Sequence, residues 1–180
     1  MPLDRLHLNI CDGVYEPRED SYLLARTVEN HAFGNVLDMG TGSGIQGIIA
    51  AMKGCNVTFS DVDSKALECA KGNALDNGVT GDFVISDIFD NIDGTFDTII
   101  FNPPYVAGDE IKHIALDGGK DGRNYINRFL GSYEEHISKK HCVLLLESSF
   151  NDYNKDVEAL NAKVIAKEHY FFEDLVVLLF

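Results

Sequence analysis

The sequence predicts an α/β domain built on one mostly parallel sheet of seven strands. Short apolar runs alternate with helical patterns, which is the arrangement that produces parallel strands. These runs lie at residues 36–38, 57–60, 83–86, 96–101 and 142–147. Two more apolar runs, 164–172 and 175–180, close the chain around Glu173-Asp174 and predict a tight hairpin. That hairpin implies one antiparallel strand near the sheet edge.

Length and an ordinary globular composition predict one domain over residues 1–180. Acidic residues outnumber basic ones by 29 to 15, and the formal net charge is -14. This charge disfavours DNA or RNA as the main partner, because phosphate binding requires a basic surface.

Cysteine usage and the N-terminal segment predict a cytoplasmic protein. The four cysteines are far apart and lack a C-x-x-C pair, so they match neither a zinc site nor a disulfide framework. Residues 1–12 lack the long apolar run of a signal peptide, and no stretch has membrane-spanning length. We therefore expect no metal site in the chain and no membrane partner.

An acidic segment precedes the first predicted helix, which runs through residues 22–28. Pro17 is placed just before a helix start. Glu16, Glu19 and Asp20 suit the positive N-terminal end of that helix. Their spacing alone favours this structural role over ligand binding.

A glycine-rich turn links the first strand to a helix over residues 45–53. It has the sequence D-M-G-T-G-S-G, from Asp38 to Gly44. Glycines there let a ligand approach the backbone and expose the N–H groups of the helix. Residues 42–47 also match G-x-G-x-x-G, which is a weak signal by itself. A carboxylate at the strand tip suits a cationic or hydroxyl-bearing ligand better than a pyrophosphate.

Polar residues also follow the next three strands. Asp61 ends the second strand, where a carboxylate suits the hydroxyls of a ribose. Asp87 ends the third strand and precedes Ile88-Phe89, a combination suited to an adenine amine and its ring. Asn102 ends the fourth strand. Because parallel strands bring their carboxyl ends to one edge, these residues and Asp38 predict a shared ligand.

Helices connect these strands. Asp63 fits a helix N-cap, and Ala66, Cys69, Ala70 and Ala74 share one face of a helix that ends at Asn77-Gly78. Further helices are predicted at 123–137 and 156–160.

The fourth strand ends in Asn102-Pro103-Pro104-Tyr105. Two prolines cannot continue a central strand, since each lacks a backbone donor and fixes φ. The turn leaves the Asn102 amide, a rigid proline carbonyl and the Tyr105 ring at the carboxyl end of the strand, where ligands bind. These groups predict a slot for a small planar group. Residues 106–122 follow it, either as a surface connection or as a flap on the substrate side.

Together these motifs resemble the class I, Rossmann-like S-adenosylmethionine-dependent methyltransferases. The asparagine-proline-proline-tyrosine tetrad is similar to that of the HemK-type glutamine methyltransferases and the DNA adenine methyltransferases. Residues 14–21 (V-Y-E-P-R-E-D-S) and 117–130 (D-G-G-K-D-G-R-N-Y-I-N-R-F-L) resemble the archaeal and eukaryotic branch of the HemK-type family. Members of that branch methylate the glutamine of the Gly-Gly-Gln motif in class 1 translation termination factors.

The resemblance implies a role for each motif residue. The cofactor S-adenosylmethionine, which leaves as S-adenosylhomocysteine, would contact the residues before the first helix, the glycine turn and the next two strand tips. The substrate would contact the proline turn, with Asn102, Pro103 and Tyr105 also acting in catalysis. The implied cofactor residues are Tyr15, Asp20, Ser21, Asp38, Gly40, Gly42, Gly44, Asp61, Asp87 and Ile88, and the implied substrate residues are Asn102, Pro103, Pro104 and Tyr105.

The branch also implies partners. A class 1 release factor would be the substrate, and a small zinc-binding activator subunit would form a heterodimer by adding to a sheet edge. The strand at residues 83–85 is the expected edge, because an uncovered apolar edge invites strand pairing.

Three other functions compete with this one. An adenine exocyclic-amine methyltransferase would use the same tetrad, but the acidic charge disfavours it. A nicotinamide-dependent oxidoreductase explains only the G-x-G-x-x-G match. An inactive scaffold is disfavoured because Asp38, Asp61 and Asn102 are all present.

Overall fold

The computed structural model describes residues 2–106, 119 and 122–180. The predicted 106–122 connection and the start of the 117–130 motif fall mostly outside the described residues. Seven strands form one sheet in the described part of the chain, as the sequence predicts. The strands are β1 (Asn35–Met39), β2 (Asn56–Asp61), β3 (Asp82–Ile85), β4 (Phe96–Phe101), β5 (Ile137–Ser148), β6 (Lys163–Tyr170) and β7 (Glu173–Leu179).

Helices cover both faces of this sheet. They are α1 (Glu19–His31), α2 (Ile45–Met52), α3 (Ser64–Asp76), α4 (Asn124–Leu130) and α5 (Tyr153–Leu160), with short 3₁₀ turns at Leu3–Arg5, Tyr133–His136 and Ser149–Asn151. None of the helices formed by the described residues has the length and apolar character that crossing a membrane requires.

The strand order is β3-β2-β1-β4-β5-β7-β6. The first five strands along the chain are parallel, and β7 runs antiparallel between β5 and β6. The predicted single antiparallel strand beside the sheet edge is therefore confirmed. This order puts the carboxyl ends of β1, β2, β3 and β4 next to each other, so the residues after those strands share one rim.

Two apolar layers follow from the alternation of side chains along each strand. Val36 and Ile100 face α1 and α2 on one side of the sheet, and Leu37 and Ile99 face α4 on the other. The central strands are buried on both faces, which is why they consist of continuous apolar residues.

The α3 helix begins and ends where the sequence predicts. Asp63 is its N-cap, and its side chain accepts a hydrogen bond from the backbone N–H of Lys65 (2.9 Å). The predicted apolar face is buried, and the helix stops at Asn77.

The predicted hairpin turn at Glu173-Asp174 is wrong. Tyr170 pairs with Glu173 and His169 with Asp174, so the turn is Phe171-Phe172 and both acidic residues belong to β7. Asp174 is held there by Lys167 (2.7 Å) and by His169 (2.7 Å) across the hairpin. These cross-strand contacts stabilise Asp174 in the strand, whereas its polar side chain had favoured a turn at this position.

The predicted helix over residues 123–137 is too long. Helix α4 ends at Leu130, a 3₁₀ turn covers Tyr133–His136, and β5 begins at Ile137, before the predicted start at Cys142. The difference arises because Ile137 pairs with Phe96 of β4, so tertiary pairing overrides the local helical preference.

Gly47 provides a test of the packing beneath the glycine turn. A β-carbon added there would lie 2.3 Å from the Phe59 ring and 2.9 Å from Asp38 Oδ2. We therefore expect Gly47→Ala to lower the free energy of unfolding by about 1–3 kcal/mol. Gly72→Ala is the matched control, since that helical glycine has nothing within 4 Å of an added β-carbon. The control should be neutral or stabilising by up to about 1 kcal/mol. Equal urea midpoints for the two variants would contradict this account.

Candidate active site

The carboxyl ends of β1, β2, β3 and β4 open into a cavity of about 600 Å³. The residues before α1 and the turn after β4 complete its wall. All but one of the predicted site residues line it: Tyr15, Asp20, Ser21, Asp38, Gly40, Gly42, Asp61, Asp87, Ile88, Asn102, Pro103, Pro104 and Tyr105.

The exception is Gly44, which lies outside the cavity wall. It is the N-cap of α2, with a φ of 88°. A β-carbon there would lie 3.1 Å from Ala70 of α3 and 3.1 Å from the Ile48 side chain. The structure thus gives Gly44 a role in packing α2 against α3.

The glycine turn exposes backbone to the cavity. Gly40 and Gly42 have φ values of 61° and 54°, a region that residues with side chains seldom adopt. Nothing lies within 4 Å of a β-carbon built on Gly42. The turn can therefore bring a ligand against the main chain at this point.

Asp38 is a buried carboxyl group at the tip of β1, with 1% of its surface exposed. Its Oδ2 accepts hydrogen bonds from Thr41 Oγ1 (2.6 Å) and from the backbone N–H of Gly47 (2.8 Å). Burial raises the pKa of Asp38 to about 7, although these hydrogen bonds oppose the shift. A cationic group in the cavity would favour the ionised carboxylate.

Asp61 is oriented by backbone donors on both of its oxygens. Its Oδ2 accepts from the N–H of Gly42 (2.9 Å), and its Oδ1 accepts from the N–H of Asp63 (3.0 Å). Burial raises the pKa of Asp61 as well. The side chain therefore links the glycine turn to the tip of β2 in a fixed orientation.

The residues after β3 combine an ion pair with a strained backbone. Asp87 Oδ1 accepts from Arg128 Nη1 (2.9 Å), a pairing that the sequence does not reveal. Ile88 has a φ of 54°, which costs a β-branched residue on the order of 1–3 kcal/mol. Ser86 Oγ donates to the Ile88 carbonyl (3.0 Å) and supports this conformation. Strain of this kind is characteristic of a binding site.

Asp20 connects the start of α1 to the proline turn after β4. Asn102 Nδ2 donates to Asp20 Oδ2 (3.0 Å), while Asp20 Oδ1 accepts from the Tyr15 hydroxyl (3.1 Å) and from the Ser21 N–H (2.6 Å). Asp20 is 3% exposed. Asp20 does lie in the first turn of α1, as its spacing predicts, but it is buried and bonded to the proline turn, whereas Glu16 and Glu19 are exposed.

The Asp20 contact also sets the orientation of the Asn102 amide. An ionised carboxylate only accepts hydrogen bonds, so the Asn102 –NH₂ group must point toward it. Asn102 Oδ1 is buried and has no hydrogen-bond partner among the described residues. Such an acceptor costs about 1–3 kcal/mol, a cost that an incoming N–H donor would remove.

Two tyrosines border this arrangement as neutral phenols. Burial, followed by the charge of Asp20, raises the pKa of both Tyr15 and Tyr105 well above the usual range. Neither is suited to act as a base near neutral pH, although each hydroxyl can donate a hydrogen bond.

Gln46 is a site residue that the sequence analysis missed. It lines the cavity, and its Nε2 donates to the Ser21 carbonyl (2.9 Å), which fixes the start of α1 beside the glycine turn. Its buried Oε1 has no partner in the described part of the chain. The sequence does contain one indication of this role, since Gln46 is the single polar side chain in the otherwise apolar α2 sequence I-Q-G-I-I-A-A-M.

Asn151 is a second missed residue, and it supports the proline turn from behind. Its Nδ2 donates to the carbonyls of Tyr105 (3.0 Å) and Gly122 (3.3 Å). Arg123 also reaches this region, donating to the Asn151 carbonyl and pairing with Asp156 (2.7 Å). Sequence spacing gives no signal for Asn151, because 46 residues separate it from Tyr105.

The sequence of this chain matches a known protein family. Residues 16–118 match the family model of the methyltransferase small domain. The chain belongs to this methyltransferase family. The predicted methyltransferase identity is therefore confirmed.

Two relatives agree with this assignment. A Methanocaldococcus jannaschii protein named "Putative protein N5-glutamine methyltransferase" is 34% identical over 188 residues, covering 98% of this chain and 95% of that protein. Ribosomal RNA small subunit methyltransferase C of Haemophilus influenzae is 32% identical over 167 residues, covering 84% of this chain and 48% of that protein. The chain thus spans about half of the second relative.

Solved structures show the same fold. The E. cuniculi Mtq2–Trm112 complex, described as responsible for methylation of the eRF1 translation termination factor, has a TM-score of 0.74 at 25% identity, covering 93% of this chain and 97% of the matched chain. The ribosomal protein L11 methylase of Lactobacillus delbrueckii subsp. bulgaricus has a TM-score of 0.68 at 17% identity, covering 94% and 82%. This methyltransferase has the predicted class I, Rossmann-like fold.

The raised pKa of Asp38 predicts a pH-dependent stability in the absence of ligands. The folded-state pKa of about 7 exceeds the reference value of 3.8, so the native state binds more protons between these values. The contribution of Asp38 to the free energy of unfolding therefore falls as pH rises from 4 to 7, by on the order of 4 kcal/mol.

Urea unfolding of the wild type and of Asp38→Asn over this pH range tests that expectation. The wild type should lose stability relative to the variant as pH rises. Asp93→Asn, at an exposed carboxyl, is the control and should follow the wild type. Parallel curves for the wild type and Asp38→Asn would show that Asp38 does not titrate as described.

Proposed function

We propose that the protein methylates the side-chain amide nitrogen of the glutamine in the Gly-Gly-Gln motif of a class 1 translation termination factor, using S-adenosylmethionine. The observation that carries this proposal is Asn102, whose Nδ2 is committed to Asp20 and whose buried Oδ1 has no partner among the described residues. The near full-length M. jannaschii relative and the E. cuniculi complex support the choice of glutamine.

The residues of the cavity suit S-adenosylmethionine. Asp38 would hold the amino group of its methionine portion, because a cation favours ionisation of this buried carboxyl. Asp61 would hold the ribose hydroxyls, and Asp87 with Ile88 the adenine. The open space at Gly42 would admit the ligand against the main chain. Tyr15, Asp20, Ser21 and Gly40 would complete the site near the methionine portion.

Positioning is the main task of the protein in this reaction. An amide nitrogen is a weak nucleophile, since its lone pair is delocalised into the carbonyl. Asn102 Oδ1 and the Pro103 carbonyl would accept the two N–H bonds of the amide, which raises electron density on nitrogen and fixes its direction. Tyr105 and Pro104 would pack beside the amide plane. Such positioning can contribute roughly 7–11 kcal/mol.

When bound, S-adenosylmethionine would supply an electrophilic methyl group to the amide nitrogen, with S-adenosylhomocysteine as the leaving group. One amide proton would pass to water. No strong base is needed before the attack, which agrees with the raised pKa of both Tyr15 and Tyr105.

A small activator subunit is part of the proposal. Strand β3 lies at the edge of the sheet, as predicted, and Ile85 is 55% exposed there. Val62, at the adjacent end of β2, is 50% exposed. An exposed apolar edge is suited to pairing with a strand of a partner. The E. cuniculi complex supports a heterodimer, and a zinc site in that partner remains part of the proposal.

The alternative substrate is an adenine exocyclic amine in RNA or DNA, which presents the same pair of N–H groups to Asn102. The match to ribosomal RNA small subunit methyltransferase C supports RNA as the substrate class for this alternative. The net charge of -14 opposes it, because nucleic-acid binding depends on basic residues.

A methyl-transfer assay on a recombinant class 1 termination factor tests the proposed function. With labelled S-adenosylmethionine, we expect label on the wild-type factor and none on a factor with Gln→Ala in its Gly-Gly-Gln loop. The assay should be run with and without the activator subunit, and ribosomal RNA should be offered separately.

Asn102→Ala is the enzyme control. It should abolish transfer and leave the affinity for S-adenosylmethionine within about threefold, because Asn102 is assigned to the substrate amide. Label that persists on the Gln→Ala factor, or label found only on RNA, would refute the glutamine assignment.

A further inference from the structure

Three phenylalanine side chains are exposed in the two turns that follow β5 and β6. Phe171 is 93% exposed, Phe172 is 87% exposed and Phe150 is 65% exposed. Phe171 and Phe172 form the turn between β6 and β7, and Phe150 lies in the 3₁₀ turn after β5. We call these three residues the aromatic rim. Exposed apolar side chains that form such a group indicate an interaction surface.

The topology places the aromatic rim at the same sheet edge as the proline turn. Strand β6 is antiparallel to β7, which is antiparallel to β5, so β6 and β4 run in the same direction. The carboxyl end of β6, where Phe171 follows, therefore lies on the side of the sheet where β4 delivers Asn102.

Hydrogen bonds connect the aromatic rim to the proline turn. The backbone N–H of Asp174 donates to Ser149 Oγ (3.0 Å), which ties the hairpin to the 3₁₀ turn that carries Phe150. Asn151, the next residue after Phe150, donates to the Tyr105 carbonyl (3.0 Å). Glu173 also raises the pKa of Tyr105 through its charge, as expected for a neighbour. The aromatic rim and the slot at Asn102 are therefore linked through Ser149 and Asn151 at one edge of the sheet.

The backbone of the turn indicates that folding does not require phenylalanine there. Phe171 has a φ of 37°, in the left-handed region where glycine is favoured. Two-residue hairpin turns normally place glycine or asparagine at such positions. A strained aromatic residue, almost fully exposed, points to a role in binding.

The charge around the rim selects the class of partner. Glu173 follows Phe172 directly and Asp152 lies two residues after Phe150, while the nearby Lys167 and His169 both contact Asp174. The chain as a whole carries a net charge of -14. Nucleic acids and anionic membranes are disfavoured by this field. A polypeptide segment with apolar side chains and positive charge is favoured.

We propose that the aromatic rim is the docking surface for the protein substrate, where it holds an apolar, basic segment that lies apart from the glutamine loop. This inference rests on the proposed function, since it assigns the surface to the substrate of the same site. Aromatic side chains are suited to this task because they bury a large area and lose little conformational freedom.

The test compares a Phe171→Gly/Phe172→Ser double variant and Phe150→Ser with the wild type. Each is assayed with the activator on the full-length termination factor and on a short Gly-Gly-Gln peptide that fills only the slot. We expect KM for the factor to rise about tenfold in the double variant, with kcat within about twofold and KM for the peptide unchanged. Phe150→Ser should also raise KM for the factor. The thermal stability of the double variant should not fall, because glycine at position 171 relaxes the turn.

Leu75→Ser is the control, since Leu75 is 77% exposed but lies at the end of α3, toward the opposite edge of the sheet. It should leave KM for the factor unchanged. A wild-type KM for the factor in the double variant would overturn the inference. A change in sedimentation with unchanged KM would assign the rim to a second copy and also overturn it. If the wild type labels neither factor nor peptide, the proposed function itself has failed.

Discussion

The hydrogen bond from Asn102 Nδ2 to Asp20 Oδ2 is the constraint around which the candidate active site is arranged. It joins the N-terminus of α1 to the end of β4, two parts of the chain that are 82 residues apart. It also removes the freedom of the Asn102 amide to rotate, because a carboxylate cannot donate. The consequence is a buried acceptor of fixed orientation, placed where two prolines end the strand.

The rest of the cavity shares a second property, which is the burial of negative charge. Asp38, Asp61 and Asp20 lie within one wall, and burial raises the pKa of the first two. Backbone and hydroxyl donors from Thr41, Gly42 and Gly47 offset only part of this desolvation. A cavity of this kind favours a ligand that combines a positive charge with hydroxyl groups. The cofactor proposed for this methyltransferase, S-adenosylmethionine, has both features.

The features that could be predicted from sequence are those encoded by local patterns. Apolar runs ending in Asp38, Asp61, Asp87 and Asn102 specified the cavity wall, since a parallel sheet must bring those strand ends together. The hydrogen bonds that hold this wall in place could not be predicted. Gln46 to Ser21 and Asn151 to Tyr105 join side chains to backbone over long separations, and no spacing rule describes them. The hairpin turn was misplaced for a related reason, because Asp174 has a polar, turn-forming side chain but is held in β7 by Lys167 and His169.

Asp20 is proposed to act by orienting Asn102, and the comparison of kcat for Asp20→Ala and Tyr15→Phe examines that role. Tyr15→Phe removes one donor to Asp20 but leaves the Asp20–Asn102 contact in place. We expect Asp20→Ala to lower kcat for the proposed termination-factor substrate on the order of 10²-fold, whereas Tyr15→Phe should change kcat by less than about tenfold. Equal kcat values for the two variants, or a loss in Asp20→Ala confined to S-adenosylmethionine affinity, would contradict it.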